Sequence, residues 1–149
     1  KIIDNQIYVR GPMLMRAFRD ETKPFTADGW LPTGDSGYFE DEKLFVNGRI
    51  GEMIISGGEN IWPNLLEQSM SQHPLVSAVA VKGVADDEWG ERVVSWVVPK
   101  DLGNLPTLND IRDHVAQTLP KFYCPKELNI VQSLPMTSLG KIDKKALTA

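Results

Sequence analysis

The sequence has little cysteine and histidine and lacks any long apolar run. Among its 149 residues are one cysteine, Cys124, and two histidines, His73 and His114. A single cysteine excludes an internal disulfide and a metal site of several thiolates, and it suits a reducing compartment, so we expect a cytoplasmic protein without a resident metal. No run is long enough to cross a bilayer, so no membrane partner is expected. The histidines, at a helix end and in an amphipathic helix, are assigned surface or capping roles.

Long runs of one charge are also missing. Sixteen basic and 20 acidic residues give a net charge of −4, without a long run of either sign. Because a negative chain gains nothing from releasing the counterions of a phosphate polymer, we expect no nucleic-acid partner. Asp86-Asp87-Glu88 is interpreted as a solvated loop, since adjacent side chains point in different directions and cannot easily converge on a metal.

The N-terminus shows neither an initiator methionine nor a signal peptide. Residues 1–4 have no long apolar core and no small-residue cleavage site, and a strand pattern follows at once at residues 6–9. We therefore expect a fragment of a longer protein. The length suits one compact domain with an appendage, and an apolar share of 42% is enough for a core.

The first third of the chain has the pattern of strands separated by loops. Residues 13–19 predict a short helical turn and residues 22–32 a loop. Two aromatic-rich runs, 37–39 and 44–46, lie on either side of an acidic turn and predict a β-hairpin. Asn47-Gly48 predicts the next break.

From Glu52 onward, strands and helices alternate. This order predicts an α+β domain in which helices pack on a mostly antiparallel sheet. The predicted elements are a strand at 52–56, a helix from Pro63 to about Gln72, strands at 76–84 and 93–98, a helix at 108–119 capped by Thr107, a strand at 127–131 and a helical turn at 144–147.

Three segments carry chemical information. In Pro32-Thr33-Gly34-Asp35, a carboxylate follows a glycine turn and can accept two hydrogen bonds from vicinal hydroxyls, as a ribose offers. An Asx-type turn that satisfies its own backbone is the alternative.

The second segment runs from Gly48 to Pro63. Arg49 can pair with a phosphate or ribose oxygen, and Gly57-Gly58 lets the backbone approach a ligand closely. A surface hairpin with a Gly-Gly turn is the alternative, and no Walker-type Lys-Ser/Thr follows.

The third segment is residues 135–142. Lys141 follows Gly140 and can enter a cleft as a point cation, where it would neutralise charge growing on a phosphate or carboxylate oxygen. A solvated lysine near a terminus is the alternative.

In this order and at these separations, the three segments resemble the adenylate-forming superfamily of acyl-CoA synthetases, luciferases and peptide-synthetase adenylation domains, and the resemblance covers essentially the whole chain. It implies that Asp35 binds the ATP ribose and that Arg49 contacts the nucleotide ribose. It further implies that Lys141 bridges the carboxylate and the α-phosphate during adenylate formation.

The resemblance also implies a domain organisation and a two-step reaction. Residues 1–48 would be the C-terminal end of the large AMP-binding domain, 49–51 a hinge and 52–149 a mobile C-terminal domain. A carboxylic acid and ATP give an acyl-adenylate, and the small domain then rotates so that CoA attacks. Rotation would replace Lys141 by the loop of Ser56, Gly57 and Gly58 beside the CoA thiol.

The rest of the enzyme is expected from a large N-terminal domain in cis. That domain would carry the phosphate-binding loop, the acid pocket and the glutamate that binds Mg²⁺, none of which is present in this sequence. The isolated chain is therefore expected to be inactive.

Two aromatic residues resemble the family's contacts to the CoA nucleotide. Trp89 and Phe122 fall where aryl-CoA ligases place such rings, and adenine stacks well on an exposed aromatic; core packing is the alternative for both. Cys124 stands where some relatives have an arginine for the CoA phosphate, and the flanking Lys121 and Lys126 could take its place.

Some positions depart from the family pattern. Gly51 occupies a hinge position that is commonly Asp or Lys, so it permits backbone rotation but no charge-based switching. Leu65 replaces the first glutamate of the motif after the hinge, and Glu67 retains the second. Leu139 stands where Ser or Thr is usual, which is expected to loosen the turn before Lys141.

The leading hypothesis is an acid–thiol ligase. Within it, residues 125–131 and 140–143 resemble the o-succinylbenzoate–CoA ligases of menaquinone synthesis. A peptide-synthetase adenylation domain and a non-catalytic nucleotide- or CoA-binding fragment are the alternatives.

Overall fold

The computed structural model describes residues 1–148. Contacts between residues divide the chain into two compact units, Lys1–Gly51 and Glu52–Ala149. Each unit has its own sheet.

The first unit is a four-stranded antiparallel sheet in the order β1-β2-β3-β4. Asp41 and Glu42, with φ of 47° and 62°, form the two-residue turn between β3 and β4, as a right-twisted hairpin requires. The predicted hairpin is thus confirmed. The strands are β1 (Ile2–Ile3), β2 (Gln6–Val9), β3 (Leu31–Glu40) and β4 (Lys43–Arg49).

Three expectations for this unit were wrong. Residues 13–19 form turns rather than a helical turn, because their backbone groups bond to loop partners, such as Phe18 N–H to the carbonyl of Thr22 at 2.8 Å. The segment from Pro32 to Asp35 lies inside β3 and not in a turn. β4 continues through Asn47-Gly48, where a register shift in the pairing with β3 accommodates Gly48 at a φ of 148°.

The second unit has a five-stranded sheet. Four of its strands follow the order β6-β5-β8-β7, and the fifth strand, β9, pairs with β8. β9 pairs parallel to β8, whereas the other pairs are antiparallel. The elements are β5 (Ile54–Ser56), β6 (Glu59–Ile61), α1 (Pro63–Ser71), β7 (Val76–Asp86), β8 (Gly90–Pro99), α2 (Leu108–Val115) and β9 (Glu127–Ile130), with 3-10 turns at Ile50–Glu52, Lys121–Tyr123 and Lys144–Ala146.

The two faces of this sheet bury two clusters. One face packs against both helices, through residues such as Leu66 of α1 and Ile111 of α2. Because side chains alternate along a strand, Ala80 and Trp96 point to the opposite face, where Leu147 covers them. Helices on a mostly antiparallel sheet confirm the predicted α+β class. No helix within residues 1–148 is long and apolar enough to span a bilayer.

The second helix is shorter than predicted. Thr107 caps it as expected, and the Asp110 carboxylate accepts a hydrogen bond from Thr107 N–H to complete a capping box. Regular helix ends at Val115 rather than at Leu119. The N–H groups of Gln117 and Thr118 bond three residues back instead of four, so the chain tightens into turns.

His73 lies buried just after α1, which corrects its assignment to a surface or capping role, because the C-cap of that helix is Gln72. Its Nδ1 accepts a hydrogen bond from Leu75 N–H at 3.3 Å. Its ring meets that of His114 edge-on, with centroids 5.1 Å apart. His114 Nε2 lies 3.0 Å from the carbonyl oxygen of Ser69, so the two histidines join α1 to α2.

Candidate functional site

In the first unit, neighbouring strands bring Asp35 and Arg49 together. The two residues are directly opposite each other in the β3–β4 register, and Arg49 Nη1 lies 3.1 Å from Asp35 Oδ1. The same nitrogen donates to the carbonyl of Thr33 at 3.0 Å. Gly34 has a φ of 78°, a left-handed conformation that favours glycine, and a Cβ there would make only ordinary van der Waals contact with the guanidinium carbon, at 3.7 Å.

This pair presents acceptors and donors at one exposed surface. A carboxylate offers about four lone-pair positions and a guanidinium five N–H donors, so their mutual contact uses only part of either capacity. Such a pair can bind vicinal hydroxyls. The sequence predicted a ligand role for each residue separately, but not the ion pair between them.

The Gly57-Gly58 turn joins β5 to β6. Its glycines have φ of 60° and 84°, so it needs two residues in the left-handed region. The turn consists of these two glycines, because Glu59 and Asn60 already belong to β6. Ser56 is buried in β5, opposite both Glu59 and Gly90.

Trp89 packs directly on this turn. A Cβ on Gly57 would lie 2.9 Å from the indole, and Gly57 N–H donates to the carbonyl of Trp89 at 2.9 Å. The ammonium of Lys126 lies 3.6 Å from the centroid of the Trp89 ring, a cation–π contact. Trp89 is therefore half-buried rather than fully exposed, and it supports the turn.

The acidic triplet before Trp89 has a structural explanation. The carboxylate of Asp86 accepts hydrogen bonds from the backbone N–H groups of Glu88 and Trp89, at 3.0 Å each. It also lies 3.7 Å from Arg92. Within residues 1–148, no group of three or more potential ligands could hold a metal ion.

Phe122 and Cys124 differ sharply in exposure. Phe122 is 40% exposed beside Tyr123, so the core-packing alternative for it was wrong. Cys124 is buried, and its thiol donates to the carbonyl of Arg112. A ligand at the surface can thus meet Phe122 but not the thiol.

Lys141 lies on a closed turn between Met136 and Ile142, which form an isolated β-bridge. Thr137 N–H donates to the carbonyl of Lys141 at 2.7 Å, and the Thr137 hydroxyl accepts from Lys141 N–H at 3.2 Å. Gly140, at a φ of 76°, allows the reversal. The side chain of Lys141 is exposed. Thr137 closes this turn, while the Leu139 side chain points to solvent, 87% exposed.

A further charged pair joins the segment after Lys141 to α1. The carboxylate of Glu67, in α1, accepts from Val81 N–H at 2.7 Å and lies 2.8 Å from the ammonium of Lys144. No local pattern predicts this pair, because the residues lie far apart in the chain. The available signals were the retained motif glutamate, Glu67, and a basic residue shortly after Gly140-Lys141, and neither indicated its partner.

The predicted site residues therefore fall in both units. The pair of Asp35 and Arg49 belongs to the first unit, and Lys141, the glycine turn and Trp89 belong to the second. Gly51 is the last residue of the first unit, and no heavy atom lies within 4 Å of the position a Cβ would take there.

Comparisons with known proteins agree with this architecture. Indoleacetate–CoA ligase of Aromatoleum aromaticum is 42% identical over 147 residues, which are 93% of this chain and 28% of that protein. A probable 2-succinylbenzoate–CoA ligase of Mycobacterium tuberculosis is 39% identical over 147 residues, covering 95% of this chain and 38% of that protein. This chain spans about a third of the length of these relatives.

A solved structure shows the same fold. The o-succinylbenzoate CoA synthetase of Bacillus subtilis, in complex with its acyl-adenylate intermediate, superposes with a TM-score of 0.86 at 30% identity, covering 97% of this chain and 30% of that one. Residues 65–141, more than half of the chain, match the family described as the AMP-binding enzyme C-terminal domain. The chain belongs to that family.

Proposed function

We propose that this chain is the C-terminal part of an AMP-forming acid–CoA ligase, with Lys141 as the catalytic residue of adenylate formation. The observation that carries the proposal is the turn of Lys141, which presents an exposed ammonium on a hydrogen-bonded backbone. A cation held in this way stabilises the charge that develops when a carboxylate attacks the α-phosphate.

Asp35 and Arg49 are proposed to bind the ATP ribose. Their ion pair already orients both groups on neighbouring strands. An oriented carboxylate loses less conformational freedom when it accepts hydrogen bonds from the two ribose hydroxyls.

Ser56, Gly57, Gly58, Trp89 and Phe122 are proposed to form the CoA-binding surface. The glycine turn lets the backbone approach the pantetheine, and Phe122 is exposed enough for adenine stacking. Lys126 is the better placed of the two candidate phosphate ligands, because its ammonium is already held over Trp89.

Gly51 is proposed as the hinge between residues 1–48 and the mobile domain 52–149. The rest of the ATP site, the acid pocket and the Mg²⁺ ligands are assigned to an N-terminal domain in cis. The residues described here do not fit Mg²⁺, since they contain no cluster of suitable ligands. A cytoplasmic location remains a prediction.

The proposed substrates are ATP, CoA and an aromatic carboxylic acid, with 2-succinylbenzoate as the first acid to test. The support is the activity of two of the relatives, the indoleacetate–CoA ligase and the probable 2-succinylbenzoate–CoA ligase. A ligase for 2-succinylbenzoate would act in menaquinone synthesis.

The test separates the two half-reactions in the complete polypeptide that contains residues 1–149. We expect Lys141→Ala to lower the rate of acid-dependent ATP–pyrophosphate exchange by about 100-fold or more, while thioester formation from a supplied acyl-adenylate stays within about 3-fold of wild type. Lys145→Ala, a nearby exposed lysine, is the matched control.

The isolated chain should release no pyrophosphate. Equal loss of both half-reactions would show that the role proposed for Lys141 is wrong. Transfer to a carrier protein but not to CoA would favour a peptide-synthetase domain, and binding without turnover a non-catalytic module.

A further inference from the structure

The tail that follows Lys141 is fixed by contacts to three elements. Lys144 reaches Glu67 of α1 at 2.8 Å. Lys82 of β7 donates to the carbonyl of Leu147 at 3.2 Å. Trp96 of β8 donates from Nε1 to the carbonyl of Thr148, also at 3.2 Å. The tail is therefore part of the folded second unit up to its last described residue.

Lys144 makes the first of these contacts after the turn of Lys141, and partial burial strengthens its ion pair with Glu67. The side chains of Lys144 and Glu67 are 23% and 21% exposed, so their attraction is screened less than that of a surface pair. Glu67 also accepts from Val81 N–H, which fixes the carboxylate. Glu52, the first residue of this unit, approaches the same ammonium at 3.5 Å.

Little backbone freedom separates this anchor from Lys141. Ile142 forms the bridge to Met136, and Asp143 N–H donates to the carbonyl of Pro135 at 2.8 Å. The two hydrogen bonds of this bridge are made by the residues on either side of Ile142, because the carbonyl of Lys141 accepts from Thr137 N–H at 2.7 Å and Asp143 donates to Pro135. A shift of Lys144 relative to α1 is transmitted to Lys141.

We propose that Lys144 is a positioning residue for Lys141, with its ammonium held between Glu67 and Glu52 so that the catalytic turn keeps a fixed place on the second unit. The inference rests on the proposed role of Lys141. An ammonium that is misplaced by about 1 Å loses much of its effect on the transition state, so the expected consequence is kinetic.

Hydrogen exchange on the 149-residue chain tests whether Lys144 holds the turn of Lys141, and this measurement does not require enzymatic activity. We expect Lys144→Met to speed exchange of the Gly140 and Asp143 amides by about 10-fold and to leave core β7 amides unchanged. Glu67→Gln keeps an acceptor for Val81 N–H but removes the ion pair, and it should reproduce the effect. Lys145→Met, the same change at an exposed neighbour, should not. Unchanged exchange in both Lys144→Met and Glu67→Gln overturns the inference.

The half-reactions of the complete ligase test the functional half. We expect Lys144→Met to lower kcat for adenylation by about 10-fold with little change in KM for ATP, and to spare thioester formation. Lys144→Arg, which keeps the cation, should recover activity to within about 3-fold of wild type. A parallel fall in both half-reactions would show a general loss of folding and overturn the inference. If the wild-type ligase forms no adenylate at all, the proposed function fails, and the exchange result alone decides whether Lys144 holds the turn.

Discussion

Gly57 and Gly58 occupy the same turn but have different surroundings. Both have positive φ, so an alanine at either position costs about 1 kcal/mol in backbone strain. A Cβ on Gly57 would in addition lie 2.9 Å from the Trp89 ring, whereas no heavy atom lies within 4 Å of a Cβ on Gly58. We expect Gly57→Ala to lower the free energy of unfolding by about 2–3 kcal/mol and Gly58→Ala by about 1 kcal/mol, measured by urea denaturation.

A double-mutant cycle isolates the contact with Trp89. In a Trp89→Leu background, the smaller side chain can move away from the new methyl group, so the excess cost of Gly57→Ala over Gly58→Ala should shrink. An equal cost of the two substitutions in the wild-type background would contradict this account of the turn.

At the residue scale, the sequence predicted what each side chain could bind better than it predicted how exposed that side chain is. The types of Asp35, Arg49 and Lys141 indicated what each could bind, because a side chain's chemistry does not depend on its neighbours. Exposure does depend on them. For Phe122, core packing was the alternative to a CoA contact, yet the side chain is exposed because the 3-10 turn there directs Tyr123, and not Phe122, inward.

At the scale of elements, His73 connects the stability of the α1–α2 pair to pH. Burial lowers the pKa of His73, His114 and Lys100 lower it further, and Asp110 opposes them. The unfolded residue titrates near the ordinary value of about 6.5, so the unfolded state binds more protons below that pH. Stability therefore falls as pH decreases through about 6.5 and levels off below the folded pKa.

We accordingly expect the urea midpoint to drop between about pH 7.5 and about pH 5.5, and His73→Asn to flatten part of that slope. Asparagine can still accept the hydrogen bond from Leu75 N–H, so this local contact is retained. Above about pH 7.5, the two proteins should show parallel pH dependence. A steeper slope in His73→Asn would refute the assignment.

Local sequence signals predicted well where the helices begin, but they did not predict which strands pair with one another. Thr107 and Pro63 marked helix starts correctly, because caps act within one turn. The end of α2 and the parallel direction of β9 were missed. Both depend on tertiary packing: the chain after Val115 tightens into turns, and β9 bonds to a strand more than 25 residues earlier, with Val94 opposite Glu127. Periodicity carries no information about such partners.

At the scale of the whole molecule, the two units differ in how much they bury. In Lys1–Gly51 the buried positions are Ile7, Ser36 and Gly37, whereas the second unit has two apolar clusters. Apolar burial is the main favourable term in folding, so the first sheet should open at a lower free energy than the second. We expect amides of the β3–β4 hairpin in the 149-residue chain to exchange about 100-fold faster than those of β7–β8.

The same amides should become protected in the complete polypeptide, if residues 1–48 belong to a large N-terminal domain. The hairpin exposes Tyr38, Phe39, Phe45 and Val46, apolar surface that a further domain could bury. Exchange mass spectrometry on both proteins makes the comparison, with the β7–β8 peptides as the internal control because the second unit has its own core. Equal exchange of the hairpin amides in both proteins would contradict the assignment of residues 1–48 to a larger domain.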